Sequence, residues 1–425
     1  DRAPAPAPAR QGFCPGLFHP MVSGDGLLVR IKPPAARLAA PAARAVASAS
    51  RHHGNGLIDL TQRGNLQIRG LRPETIAPFA AIVLDQALAQ SDPAVEGIRN
   101  VACNPLGAAD PLAAFDSAAA ALAIEAALAG APGMGGLPAK FGILLDGGGL
   151  LPPRDSMADI LFRAARDGGI FAGIAGSPLA IACEEAAIAD RAVALAFAYL
   201  ALAPGAGSKP ARMRGLVERV GAQAIFAAAG LTPDCLMPPA PPAMAPPVGF
   251  LPYPESGIGV FGFGIPFGQI TAETLARLAD LAEQWGDATL RTTPWRTLLI
   301  PGVAQAAALA LADAGRACGL ITTETDPRLD LTACAGSAGC SRATVDARAD
   351  AAALAARGLA QGRQIHVSGC AKGCAHPDPA ALTLVGNGGQ YDLVYAGRAQ
   401  DRPAHVGLSL AAVARLLLAA EENAP

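Results

Sequence analysis

The stretch DGLLVRIKPPAARLAAPAARAVASASRHHGNGLIDLTQRGNLQIRG, Asp25–Gly70, returns as GIGVFGFGIPFGQITAETLARLADLAEQWGDATLRTTPWRTLLIPG, Gly257–Gly302. A constant offset of 232 residues superimposes the two without a gap. Pro34 falls on Pro266, Leu38 on Ile270, Gly54 on Gly286, Thr61 on Thr293 and Gly70 on Gly302. Each copy reads as a strand, a loop, an amphipathic helix, a second strand and a turn. In the second copy Thr271 is the expected N-cap and Gly286 the stop. Between them Leu275, Leu278, Leu281, Ala282 and Trp285 recur at helical spacing. Internal duplication therefore sets the fold.

Outside these copies the repetition is looser. RNVACNP, Arg99–Pro105, falls where DLTACAGS falls in the second half, and ADILFRAARDGG, from Ala158, resembles YDLVYAGRAQDR, from Tyr391. A Pro-rich connector, Thr232–Pro254, separates the halves and excludes helix or central strand there. The expected order is a Pro/Ala-rich arm (1–20), a first repeat arm (21–80), a first α/β lobe (81–231), the linker (232–254), a second repeat arm (255–310) and a second α/β lobe (311–425). The class is α+β, with two arms paired about a pseudo-twofold axis and a cleft between the lobes.

Length allows two or three domains, and 52% hydrophobic residues supply a large core. A formal net charge of −2 gives no reason to expect nucleic-acid binding or an acidic membrane surface. The apolar run from Ala192 breaks at Pro204, short of the roughly 20 residues of a membrane span. The N-terminal arm shows no apolar targeting segment, so the expectation is a cytoplasmic monomer with reduced thiols.

Four of the nine cysteines lie in two short pieces, TACAGSAGC and SGCAKGCAHP. Cys334 and Cys340 are spaced C-x5-C, Cys370 and Cys374 C-x3-C, with 29 residues between the pairs. Gly336, Gly339, Gly369 and Gly373 let backbone N–H groups approach closely. Four thiolates in two loops suit a 4Fe–4S cluster. Zinc, which usually shows tighter C-x2-C knuckles, and unliganded thiols are the alternatives. Cys14, Cys103, Cys183, Cys235 and Cys318 are scattered and read as small apolar fillers.

The cysteine spacing after a duplicated arm resembles the sulfite and nitrite reductase family. RNVACNP, LPAKFGILLD and KPARMRGLVERVG extend the resemblance over nearly the whole chain beyond the Pro/Ala arm. It implies a duplicated sulfite/nitrite reductase-like fold: two ferredoxin-like repeat arms plus two α/β lobes around a central cleft. It also implies a 4Fe–4S cluster on the four cysteines, with sirohaem in the cleft of the reductases. On CPGLFHPMVSGDGLLVRI, Cys14–Ile31, the chain is most similar to the family's aerobic cobalamin branch. That branch implies O2-dependent hydroxylation of the tetrapyrrole precorrin-3A with γ-lactone formation. It further implies a mononuclear non-haem iron in place of sirohaem, and an external electron donor.

By the same resemblance the ligand's carboxylates meet Arg30, Arg63, Arg99 and Lys140. Lys372 stands between the last two cysteines, where the reductases often carry Asn. The reductases usually show a second Lys two residues after the position of Lys140; here it is Gly142. That departure argues against six-electron reduction of a small anion. The positions aligned with Arg30 and Arg63 in the second arm are Gly262 and Trp295, so the cations are expected on the first arm alone. His366 and His376 lie near the cysteines in sequence and are candidate iron ligands. GIGVFG, Gly257–Gly262, opens no helix and is no dinucleotide fingerprint. A sirohaem-dependent reductase and an electron-transfer or tetrapyrrole-carrier protein are the competing readings.

Overall fold

The computed structural model describes residues 15–153, 158–203, 212–242, 244–360 and 362–422. The Pro/Ala stretch through Cys14, and Lys209 of KPARMRGLVERVG, lie outside the described residues.

The 232-residue offset holds at the level of single elements. The helix Ala40–His53 is matched by Ala272–Trp285, and the strand Leu57–Leu60 by Thr289–Thr292. Even the backbone signs repeat: Ala35 and Phe267 are both left-handed (φ 49° and 51°), as are Gly70 and Gly302 (φ 70° and 75°). Gly54 and Gly286 are needed for space. A Cβ on Gly54 would lie 2.4 Å from Arg69 O, and one on Gly286 2.3 Å from Ile300 Cγ2.

Each loop between strand and helix holds a further short strand, and these two strands are exchanged. Gln269–Thr271 of the second copy pairs antiparallel with Leu57–Leu60 of the first. Arg37–Ala39 of the first pairs antiparallel with Thr289–Thr292 of the second. Each arm is thus a five-stranded sheet with one strand on loan from the other. The helices Ala40–His53 and Ala272–Trp285 pack on one another, and the arms share a single core. Ala43 and Ala47 of the first helix and Ala279 and Ala282 of the second are buried in that core.

The lobes repeat each other as well. The first carries the strands Val101–Cys103, Ile143–Asp146, Ile160–Ala164, Ile170–Ile174 and Leu179–Cys183 in spatial order, the first three parallel and the rest antiparallel. The second carries Leu331–Ala333, Ile365–Ser368, Ala380–Asn387, Gln390–Gly397 and His405–Leu408 with the same pattern. By this order Ile160–Ala164 takes the place of Ala380–Asn387. The likeness of ADILFRAARDGG to YDLVYAGRAQDR therefore pairs neighbouring strands rather than equivalent ones. Short apolar strands of one antiparallel meander share a two-residue period, so such a match does not discriminate among them.

The Pro-rich connector contributes two edge strands, Cys235–Leu236 to the first lobe and Gly249–Pro252 to the second arm. Edges tolerate the missing N–H of proline. The apolar run from Ala192 lies in the helix Ile188–Leu202, which buries Leu195, Ala196, Ala198 and Tyr199. Among the described residues no helix is long and apolar enough to cross a membrane.

The exchanged strands make the arms one folding unit. Leu290 lies opposite Leu38 across the exchanged pair, and both side chains are fully buried. Leu290→Ala should cost about 2–5 kcal/mol. Urea unfolding followed by tryptophan fluorescence and by far-UV circular dichroism should show the arms melting in one transition. Separate transitions for the two arms would show that they fold independently.

Candidate functional site

The four cysteines sit where the second lobe's parallel strands end. Cys334 follows Leu331–Ala333, and Cys370 and Cys374 follow Ile365–Ser368. Cys340 closes the short helical turn Gly336–Gly339. All four thiols are free. Gly369 N donates to Cys334 Sγ at 3.1 Å, a backbone N–H on sulfur of the kind that surrounds iron–sulfur clusters. Desolvation pushes the Cys374 thiol above its ordinary value; the Lys372 ammonium pulls it down, and the thiols of Cys370, Cys334 and Cys340 push it up.

Glycines shape the cradle. A Cβ on Gly369 would lie 2.5 Å from Ala343 Cβ and 3.3 Å from Cys334 Sγ, and one on Gly336 2.6 Å from Ala347 N. Among the described residues no three His, Cys, Asp or Glu side chains converge on a single ion. The chain's free thiols and tight glycine loops fit a cluster.

Two carbonyls fasten these loops to the arms. Gly339 O, next to Cys340, accepts from Ser23 Oγ at 2.6 Å, from Gly24 N at 3.3 Å and from Arg69 Nη2. Arg69 is buried and pairs with Asp25 at 2.8 Å and Asp59 at 3.0 Å; Asp59 also takes Arg348 at 2.8 Å. Ala375 O, next to Cys374, accepts from Gln62 Nε2 of the first arm at 2.6 Å and from Arg296 Nη2 of the second at 2.8 Å.

A cavity of about 450 Å³ opens between the arms and lobes, in the range of small-molecule sites. Arg63, Gln62 and Lys32 border it from the first arm, Trp295 and Arg296 from the second, and Cys103 and His376 from the two lobes. Arg63 also borders a smaller cavity of about 140 Å³, which Arg30 lines. Arg30 donates to Gln67 Oε1 at 3.1 Å.

Arg99 touches the large cavity, but its guanidinium is engaged by Glu96 at 2.9 Å, Glu125 at 3.4 Å, Lys32 O at 2.6 Å and Leu88 O at 3.0 Å. Lys140 and Lys372 are exposed and lie outside the residues bordering either cavity. Gly142 borders the large one.

The second arm also carries a cation, contrary to the sequence expectation. Arg296 is displaced by one position from Trp295, the residue aligned with Arg63. Both residues lie in the turn between Thr289–Thr292 and Thr297–Ala304, where Arg296 is left-handed (φ 58°), and both border the cavity. Burial, and then the Arg348 charge, push Arg296 down to about 10.

His366 is fully buried on the strand before Cys370, and neither ring nitrogen has a hydrogen-bond partner among the described residues. Burial first, then His376 and Arg296, push it down to about 4, so it is neutral near pH 7. The His376 ring lies 5.7 Å away. Cys103, at the matching strand end of the first lobe, is pushed up to about 12 by burial and is a neutral thiol.

A family model described as the nitrite/sulfite reductase ferredoxin-like half domain matches residues 19–85 and 256–318, one match per arm. A precorrin-3B synthase of Sinorhizobium sp is 32% identical over 97% of this chain and 90% of its own length. The ferredoxin–nitrite reductase of Synechococcus elongatus is 26% identical over 87% of this chain and 78% of its own. In fold the chain is similar to the NirA protein of Mycobacterium tuberculosis, with a TM-score of 0.72 and 18% identity over 92% of this chain and 79% of that one.

Arg69 holds the first cysteine loop against the first arm, so Arg69→Met should loosen that loop and leave two acids short of a partner. The expected cost is about 3–5 kcal/mol, the penalty of breaking a buried pair. Amide hydrogen exchange at residues 336–341 should accelerate more than in the rest of the second lobe. Unchanged exchange there would show that the loop holds its shape without this contact.

Proposed function

Because the chain belongs to the nitrite/sulfite reductase family, on the branch of the precorrin-3B synthase it resembles, we propose that it hydroxylates precorrin-3A with O2. The observation that carries this reading is 32% identity sustained over 97% of the chain. Gly142 supports it: the cavity has no lysine where the resemblance to the reductases leads one to expect it. We further propose that the enzyme acts as a cytoplasmic monomer with a separate electron donor.

One O2, two electrons and two protons convert a meso C–H to C–OH and release one water. The carboxyl O–H of an acetate arm then adds across an adjacent unsaturated bond of the macrocycle to close the γ-lactone, so no leaving group and no protein nucleophile are required. When bound, the 4Fe–4S cluster and a mononuclear non-haem iron supply the electrons and the activation of O2. Cys334, Cys340, Cys370 and Cys374 would hold the cluster. The orphaned, neutral imidazole of His366 and its neighbour His376 are the nitrogen donors suited to the single iron.

The chain's own task is orientation. Arg63 and Lys32 border the cavity from one arm and Arg296 from the other, so a ligand with several carboxylates is met from two sides. Arg30 belongs to the smaller cavity beside Arg63 and would take an outlying carboxylate. Arg99 stiffens the wall through its acids, while Lys140 and Lys372 add positive potential outside the cavity.

Protein purified without air should contain more iron than the four atoms of a cluster and no haem-like absorption bands. It should consume O2 with precorrin-3A and a reductant. His376→Ala should lower iron by about one atom per chain while leaving the cluster spectrum intact. Haem-like bands with turnover of sulfite or nitrite would establish the reductase instead. A cluster spectrum without O2 consumption would establish a carrier.

A further inference from the structure

We propose that Arg296 anchors one carboxylate of the ligand in the cleft and so fastens the ligand to the loop that carries Cys374. The proposal rests on the reading that the ligand is a tetrapyrrole polycarboxylate, and names a contact within that site.

The duplication shows how unusual this arginine is. Its counterpart at the 232-residue offset is Gly64, and both residues are left-handed, with φ 68° at Gly64 and 58° at Arg296. The turn suits glycine, which adopts that region without strain. One copy keeps the glycine, and the other holds a long cation in a conformation unfavourable to any side chain. The neighbouring chain makes room for it: a Cβ on Gly268 would lie 2.8 Å from Arg296 Cδ.

Its charge feels Asp59 and the Cys334 thiol but, among the described residues, forms an ion pair with neither. Among the described residues the one hydrogen bond of Arg296 is to Ala375 O at 2.8 Å, and no carboxylate lies within ion-pair distance. Asp59, the acid whose field Arg296 feels, is already taken by Arg69, Arg348, Gln67 and Gln269. The half-buried guanidinium has a single neutral acceptor and borders the cavity, and a planar carboxylate is the partner its fork fits. The cavity it borders is where such a group would arrive. A purely structural role explains less, because Gln62 already holds the same carbonyl at 2.6 Å.

Gly64 supplies the decisive variant. Arg296→Gly restores the residue that the turn favours, so thermal stability should hold or rise while ligand binding falls. The probe is uroporphyrin III, an octacarboxylic tetrapyrrole, titrated into the anaerobically purified holoprotein while tryptophan fluorescence is followed. Arg296→Gly should weaken binding by about 10- to 100-fold, the loss of a charge-assisted pair. Arg296→Lys should fall between, since it keeps the charge without the fork. Amide hydrogen exchange at residues 372–376 in Arg296→Gly should stay near the wild-type rate, because Gln62 still holds Ala375 O. Binding by Arg296→Gly within about twofold of wild type would overturn the proposal. So would a loss of binding accompanied by faster exchange in that loop, which would assign the effect to the loop. Wild-type protein that fails to bind the probe would sink the tetrapyrrole reading itself, and this contact with it.

Discussion

The mutual loan of one strand between the arms is the constraint from which the cleft follows. Arg37–Ala39 completes the sheet of the second copy and Gln269–Thr271 that of the first, so neither sheet closes without the other chain half. An unpaired sheet edge is a liability, and here each arm covers the other's. The exchange fixes the two arms back to back about their helices. The turns after Leu57–Leu60 and Thr289–Thr292, which carry Arg63 and Arg296, consequently arrive at the same cavity.

The second lobe is tied to that base through buried charge. Asp25 and Asp59 are flanked by Arg69 and Arg348, and Arg69 reaches across to Gly339 O. Replacing such a network with apolar groups of equal shape is often no less stable, so its presence is better explained by specificity of position than by strength. It sets where the cysteine loop stands relative to the first arm, and Gly24 permits the approach: a Cβ there would lie 2.9 Å from Cys340 N. The exposed pairs Arg44–Glu283 and Arg51–Glu273 across the two helices are screened by water and contribute register at most.

Most of the scaffold was legible in the sequence because duplication writes the same backbone twice. The gapless offset located both helices, the glycine stops and the paired turns. It could not reveal the strand exchange, since a self-contained arm and a swapped one have the same sequence pattern; the difference lies in which copy supplies the third strand. The cysteine spacing singled out two loops, and the fold places both at neighbouring ends of the second lobe's parallel strands. Individual cations were harder. Arg99 reads as a cleft cation until Glu125 is brought beside it by the fold. Arg296 was hidden because its neighbour Trp295 holds the position aligned with Arg63, and a left-handed residue in a turn gives no periodic signal.

The two copies diverge at the places where a symmetric protein could not serve an asymmetric task. The first lobe ends its leading strand with the neutral, buried Cys103, and the second ends it with the thiol cradle. At the turn facing the cavity, the first arm has glycine and the second arginine on the same backbone. A pseudo-twofold cavity lined identically on both sides would accept a macrocycle in two orientations of equal energy. Giving one side the thiols and offsetting the cations by one residue removes that degeneracy. The strained backbone at Arg296 is consistent with a side chain kept there for its contact rather than for the stability of the turn.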